Sequence, residues 1–234
     1  MSLERALLVL LLGGGLLLGN VLIFLSLRKG RLDDAALDDF AAARGWRVER
    51  DERGARGDRT LIVDPATGRS LGLYRGPDST DGSGRRTARW TEYHDPRPAI
   101  PAGLAVLGPP LPDKTVALAG STLGGSISGA LPGRVLMGSQ PDIAADVGRL
   151  ERVRDRPAAH GTLFATPEAR EALDPVLGHP AFGPAREGRN EMQQPIVQRG
   201  PFGLRVRIRR WLNDPGELAA LADFGEALSG TLRR

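Results

Sequence analysis

The chain of 234 residues has a net charge of +4, and its 26% charged and 41% hydrophobic residues are typical of a folded protein. It contains no cysteine, which excludes disulfides, thiolate metal sites and cysteine nucleophiles. Thirty of its 32 basic residues are arginine. Because abundant glycine and alanine accompany this bias, it is typical of a GC-rich coding sequence, and we expect no nucleic-acid partner.

The strongest pattern is an uncharged stretch near the N-terminus. Residues 6–27 are 22 positions without a charge, and sixteen of them are Ala, Val, Leu, Ile or Phe. As a helix the stretch is about 33 Å long, enough for a hydrocarbon core of about 30 Å. The alternative is a cleaved signal peptide, whose apolar region is about 7 to 15 residues long and ends in small residues. This run is longer and ends at Leu27-Arg28-Lys29, so residues 1–31 are predicted to be a retained single-pass anchor.

The charges that flank the stretch predict its orientation. Arg28, Lys29 and Arg31 follow it, whereas Glu4 and Arg5 precede it. An excess of Lys and Arg marks the cytoplasmic side of a membrane helix. The sequence therefore predicts an inner-membrane protein with the bulk of the chain on the cytoplasmic side.

A helix-packing pattern lies within the predicted span. Gly15 and Gly19 are four residues apart, the spacing that lets two membrane helices approach closely, and Asn20 could bond across such an interface. We interpret the span as monomeric, since glycine is common in membrane helices. The alternative is a homodimer contact through these three residues.

Beyond the anchor the sequence predicts an α+β fold, antiparallel and β-rich with a few short helices, because strands and helices are segregated rather than alternating. We divide it into a first lobe over residues 32–95, a Pro-rich connection over 96–112 and a second lobe over 113–234. The connection cannot be helical, because each proline removes a hydrogen-bond donor and clashes with the preceding turn.

The first lobe is predicted to be a helix followed by an antiparallel meander of four strands. The helix begins at Asp33 or Asp34, whose carboxylates favour the positive end of a helix dipole, and it ends before Gly45. The first strand is predicted to end at Arg50, because this residue would fall on the apolar side. The other strands are predicted over residues 59–63, 70–74 and 87–94.

The second lobe closes with a regular helical pattern. Asp214 and Glu217 form a capping-box-like start, and a stripe at helical spacing predicts the buried face. The stripe consists of Leu218, Leu221, Ala222, Gly225 and Leu228. Thr166, followed by Pro167 and Glu168, predicts the start of another helix. Strands are predicted over 115–119, 134–137 and 162–165, and a hairpin over 195–199 and 203–210.

Signatures of catalysis and metal binding are missing from the sequence. The glycine-rich residues 119–129 have neither the lysine of a phosphate loop nor a nucleophile-elbow serine, so we interpret them as a surface loop. His94, His160 and His179 are far apart and lack an acid or histidine at ligand spacing on a helix. We predict no catalytic residue, no metal and no cofactor. An enzyme whose site is assembled from scattered residues stays open as an alternative.

A row of arginines is the candidate binding site. Arg205, Arg207 and Arg209 alternate with apolar residues, so they are predicted on one face of a strand, about 7 Å apart. Such a row suits phosphates, anionic lipid headgroups or an acidic partner. The alternative is a charged sheet face that is simply solvated.

The overall layout resembles a known group of proteins. The resemblance lies in residues 40–46 (FAAARGW) after a membrane span, residues 85–90 (RRTARW), residues 203–210 (GLRVRIRR) and the helical pattern over 214–228. With these motifs the chain is similar to an uncharacterised family of bacterial single-pass membrane proteins with a soluble domain of unknown function. The resemblance implies a bacterial tethered domain and carries over no activity or catalytic residue.

These patterns together predict a membrane-anchored, non-catalytic module that binds a protein partner. The alternative is a sensor of anionic lipids or phosphate ligands that uses the arginine-lined strand.

Overall fold

The computed structural model describes residues 34–54, 57–77, 87–110, 143–155, 161–187 and 193–234. Several predicted features lie outside these ranges: the anchor with Gly15, Gly19 and Asn20, the glycine-rich stretch, and the strands over 115–119 and 134–137. Within the described ranges, no helix combines the length and the hydropathy that a membrane crossing requires.

The first part of the chain forms the predicted helix and meander, in which each strand pairs antiparallel with the next. Gly45, with a φ of 68°, ends the helix in the left-handed region that favours glycine. The turn between the second and third strands is closed by Asp64, whose carboxylate accepts a bond of 2.9 Å from the backbone N–H of Ala66. The elements are helix α1 over residues 34–43 and strands β1 (Arg47–Gly54), β2 (Gly57–Val63), β3 (Ser70–Pro77) and β4 (Thr87–Asp95).

Strand β1 continues past Arg50, where the sequence predicted its end. The guanidinium of Arg50 does not enter the core. It reaches α1, where Nη2 donates a bond of 2.8 Å to the carboxylate of Asp38. A charged residue on the apolar side is tolerated because an acid on the covering helix pairs with it.

The later strands extend the same sheet, and all neighbouring strands are antiparallel. They are β5 (Ala105–Gly108), β6 (Glu151–Arg152), β7 (Thr162–Ala165), β8 (Ile196–Gly200) and β9 (Gly203–Ile208). The order across the nine described strands is β1-β2-β3-β4-β9-β8-β5-β7-β6. One sheet therefore contains strands from residues 32–95, from residues 96–112 and from residues 113–234. Whether these ranges are separate domains stays a prediction.

Three further helices are described: α2 (Ala144–Val147), α3 (Phe182–Arg186) and α4 (Pro215–Leu232). The start of α4 is as predicted, because the Asp214 side chain accepts a bond of 2.9 Å from the N–H of Glu217. The helical stretch predicted from Thr166 begins as expected, with Thr166 as the N-cap and Pro167 as the first residue, but it consists of two short 3-10 helices, Pro167–Ala169 and Asp174–Val176, rather than an α-helix. The Thr166 side chain makes no capping bond, and its hydroxyl accepts instead from the N–H of Leu104.

The main core lies between one face of the sheet and the helices α1 and α4. The predicted stripe of α4 is buried there. Gly225 allows the closest approach, because a Cβ at this position would lie 2.2 Å from Cδ1 of Tyr93 in β4. A smaller apolar cluster covers the opposite face of β5 and β7, where Val106 and Phe164 meet Ile143 and Leu150. Strand β5 is consequently buried on both faces.

Candidate functional site

The three arginines predicted to form a row on β9 differ in their exposure to solvent. Arg207 is 3% exposed, and its Nε and Nη2 donate bonds of 3.0 and 2.6 Å to one carboxylate oxygen of Glu92. The Nε of Arg205 lies 3.7 Å from the other oxygen of the same carboxylate. Arg209 is exposed and follows the last residue of the strand. The three residues therefore have three different environments.

The register of the sheet explains this difference. Strand β9 lies between β4 and β8, and Glu92 of β4 stands directly opposite Arg207. A buried guanidinium requires a charged hydrogen-bond partner, and the neighbouring strand supplies it. The sequence around β9 contains no information about this partner, which is more than a hundred residues away. The binding role of Arg205, Arg207 and Arg209 stays a prediction.

Aromatic rings extend this polar cluster across the same face of the sheet. The rings of Tyr74 and Trp90 stack with centroids 5.2 Å apart and planes 12° apart. The guanidinium of Arg207 lies 5.2 Å from the Trp90 ring, and that of Arg59 lies 5.5 Å from the Tyr74 ring. Cation–π contacts of this kind fix the orientation of a guanidinium. Two stacked rings with an arginine beside each of them therefore extend across four adjacent strands, β2, β3, β4 and β9.

The described histidines are bonded within the fold. Nε2 of His94 lies 2.7 Å from the carbonyl oxygen of Phe202, and Nδ1 of His179 accepts a bond of 3.2 Å from the N–H of Ala181. His160 lies outside the described residues. Among the residues that the structure describes, no group of three His, Asp or Glu side chains could hold a metal ion.

A buried acid holds the end of the sheet where β4 stops. The Asp95 side chain is fully buried, and Arg97 donates to it through Nε at 2.9 Å and Nη2 at 2.8 Å. Nε of Arg69 lies 3.3 Å from the same carboxylate. Burial by itself raises the pKa of Asp95, but the side-chain and backbone hydrogen bonds from Arg97 overcome it and lower the pKa to about 2. Arg97 satisfies the Asp95 carboxylate through hydrogen bonds, whereas the Nε of Arg69 is close to it without a hydrogen bond.

An apolar groove of about 320 Å³ lies between α3 and α4, over the end of β9. The two helices contact each other through the rings of Phe182 and Phe224, whose centroids lie 5.1 Å apart, and the groove lies beside this contact. The groove is lined by Ala181, Pro184, Ala185, Pro195, Ile208, Ala220, Leu221, Asp223 and Phe224. Its volume is at the lower end of the range of about 300 to 1,000 Å³ that is typical of ligand pockets. This space suits one or two apolar side chains.

The rim of the groove carries a carboxylate that is paired with an arginine. Asp223 is the one charged residue in the lining, and its side chain is 66% exposed. Helix α4 carries three acids and no Lys or Arg over Pro215–Leu232. Arg44 pairs with Asp223 and lies 3.6 Å from Glu226, so the acids also hold the end of α1 against α4. An apolar floor with an acidic rim favours a ligand that is apolar and basic.

The sequence did not identify the groove. The buried stripe of α4 was predicted, but α3 was not, and a groove requires both walls. Residues 181–186 read AFGPAR, in which glycine and proline argue against a helix.

The described residues define an α+β class with one nine-stranded antiparallel sheet and two helices packed on its main face. No protein-family model, curated protein or solved structure matches the chain. The resemblance to a family of bacterial membrane proteins stays a prediction.

Proposed function

We propose that this chain is a single-pass inner-membrane protein whose folded domain, on the cytoplasmic side, binds a protein partner and is not a catalyst. The anchor is residues 6–27, and the basic residues after it set the orientation. The groove between α3 and α4 is the binding site. The observation that carries the proposal is this apolar groove with a single carboxylate, Asp223, at its rim.

The chemistry of the groove defines the partner segment. Its floor is formed by Ile208, Leu221 and Phe224, each at most 5% exposed, which gives a rigid apolar surface. A leucine or phenylalanine side chain of the partner gains about 1.5 to 3 kcal/mol by complete burial. A lysine or arginine beside it would meet Asp223, which is exposed enough to accept a second cation besides Arg44. The partner is therefore a protein segment with an apolar residue flanked by basic ones.

Two synthetic peptides test this directly against the full chain in detergent micelles, with binding measured by fluorescence anisotropy. The first has a central leucine flanked by lysines, and the second has the same leucine flanked by glutamates. We expect the lysine peptide to bind more tightly. Ala220→Trp, which fills the groove from an exposed position, should weaken binding by about tenfold or more.

Matched variants separate the groove from general effects. Ala42→Trp introduces the same ring at an exposed alanine of α1 and should leave binding unchanged. Asp223→Asn should weaken the lysine peptide about two- to fivefold, as expected for an exposed charge, whereas Asp39→Asn on α1 should not. Equal binding of the two peptides, or equal binding by the Ala220→Trp variant and the wild-type chain, would overturn the groove as the binding site.

A further inference from the structure

Three exposed arginines lie at one end of the sheet, where the strand register places Asp51 of β1 opposite Arg59. Arg59 is near the start of β2, Arg89 is near the start of β4, and Arg209 directly follows β9. Among the side chains that the structure describes, none of the three has an ion-pair partner, whereas some exposed arginines elsewhere do, such as Arg47 with Glu49 and Arg170 with Asp155. We call Arg59, Arg89 and Arg209, with Tyr74 and Trp90, the arginine end.

Arg59, Tyr74 and Trp90 form a row on one face of the sheet, and Arg89, the neighbour of Trp90, belongs to the other face at the same end. Arg59 stands opposite Tyr74, and Tyr74 stands opposite Trp90 in the strand register. The strands β2, β3, β4 and β9 are neighbours, so the arginine end spans about 14 Å. Both rings are half-buried, which leaves part of each ring at the surface between the cations. Tyrosine and tryptophan beside arginine are the residues that favour the headgroup layer of a membrane.

The point where the chain enters the domain lies at the same end. Arg50 donates a bond of 3.4 Å to the carbonyl oxygen of Asp34, the first described residue of α1. In the sheet Arg50 stands opposite Thr60, the neighbour of Arg59. Six residues, 28–33, separate Asp34 from the predicted span, and they reach at most about 22 Å when extended. The tether therefore limits the distance between this end of the sheet and the bilayer.

We propose that the arginine end docks on the anionic headgroups of the membrane in which the chain is anchored. The inference rests on the proposed anchor and is independent of the groove. Each basic side chain at an anionic surface is expected to favour the docked state by about fivefold, and salt screens the attraction within about 10 Å. The rings of Tyr74 and Trp90 then lie at headgroup level, and the opposite end of the sheet points away from the bilayer.

The test uses the full chain in nanodiscs of phosphatidylcholine, with or without phosphatidylglycerol, and a dye on one introduced cysteine. The native chain has no cysteine, so the labelling is specific. The dye is placed by Arg89→Cys at the arginine end, or by Pro201→Cys in the β8–β9 turn at the opposite end. A quencher attached to the lipid headgroup reports the proximity of the dye to the bilayer.

We expect quenching of the dye at position 89, stronger with phosphatidylglycerol, and little quenching at position 201. Adding Arg59→Gln and Arg209→Gln should lower the ratio of docked to undocked chains by about 25-fold, whereas Arg149→Gln and Arg170→Gln, at other exposed arginines, should leave it unchanged. Equal quenching at positions 89 and 201, or the same quenching with and without phosphatidylglycerol, would overturn the docking. A chain that does not remain in the discs would instead overturn the anchor, and peptide binding tests the groove separately.

Discussion

The two ends of the sheet use arginine in opposite ways. Where β4 stops, Arg69 and Arg97 both form ion pairs with the buried Asp95. At the arginine end, Arg59, Arg89 and Arg209 are exposed, and none of them has an ion-pair partner among the side chains that the structure describes, although Asp51 stands opposite Arg59 in the register. The number of arginines in this chain therefore does not by itself indicate a binding site. An arginine is available to a ligand only where the fold does not pair its guanidinium with an acid.

The largest effect is expected where an arginine is both paired and buried. Arg207→Gln leaves the Glu92 carboxylate buried without its main donor, and we expect the free energy of unfolding to fall by about 3 to 5 kcal/mol. Urea unfolding of the full chain in detergent, followed by near-UV circular dichroism, measures this loss. Arg209→Gln, two positions along, is the control and should change stability by less than about 0.5 kcal/mol. Similar losses in both variants would contradict the distinction.

Acid should weaken the Asp95 end. Because the pKa of Asp95 is about 2 in the folded chain, below its unfolded value of about 4, its stabilising contribution is complete above about pH 4. It is lost as the pH falls from about 4 to about 2, at a cost on the order of 2 kcal/mol. Unfolding measured across this range should show a steeper loss in the wild-type chain than in Asp95→Asn. Parallel pH profiles would show that Asp95 titrates normally.

Packing of α4 on β4 gives a smaller effect. Gly225→Ala places a Cβ against the Tyr93 ring, and we expect a loss of roughly 1 to 2 kcal/mol in the unfolding free energy. Gly230→Ala in the same helix has no heavy atom within 4 Å, so it should stabilise the chain by about 0.5 to 1 kcal/mol through helix propensity. A loss of stability at position 225 with a gain at position 230 would support the close approach of α4 to Tyr93. A change of the same sign in both variants would argue against it.

The smallest effect on stability is expected at the arginine end. Arg59→Gln, Arg89→Gln and Arg209→Gln together remove no described ion pair, so the unfolding free energy should change by less than about 1 kcal/mol. The loss should appear in membrane docking instead. A large loss of stability would mean that these arginines hold the fold rather than face a ligand.

Much of the fold follows from local patterns, and most of the site does not. The meander, the hairpin around Gly200 and the capped helix α4 were predicted because turns, alternation and capping are local signals. The environment of Arg207 depends on Glu92, which β4 brings opposite it, and the groove depends on α3 and α4 lying side by side. Neither relation is encoded within a window of sequence. The helix predicted from Thr166 starts at Pro167 but is 3-10 rather than α, and the Thr166 hydroxyl bonds to the distant N–H of Leu104, which no local pattern encodes.

Labelling of single cysteines in intact cells tests the tethered arrangement most directly. Ser2→Cys lies before the predicted span, and Pro201→Cys lies in an exposed turn of the folded domain. The account predicts that a membrane-impermeant maleimide labels position 2 from outside, and labels position 201 only after the inner membrane is opened. Labelling of position 201 in intact cells would contradict the orientation. Release of the chain from membranes by alkaline carbonate would contradict the anchor itself.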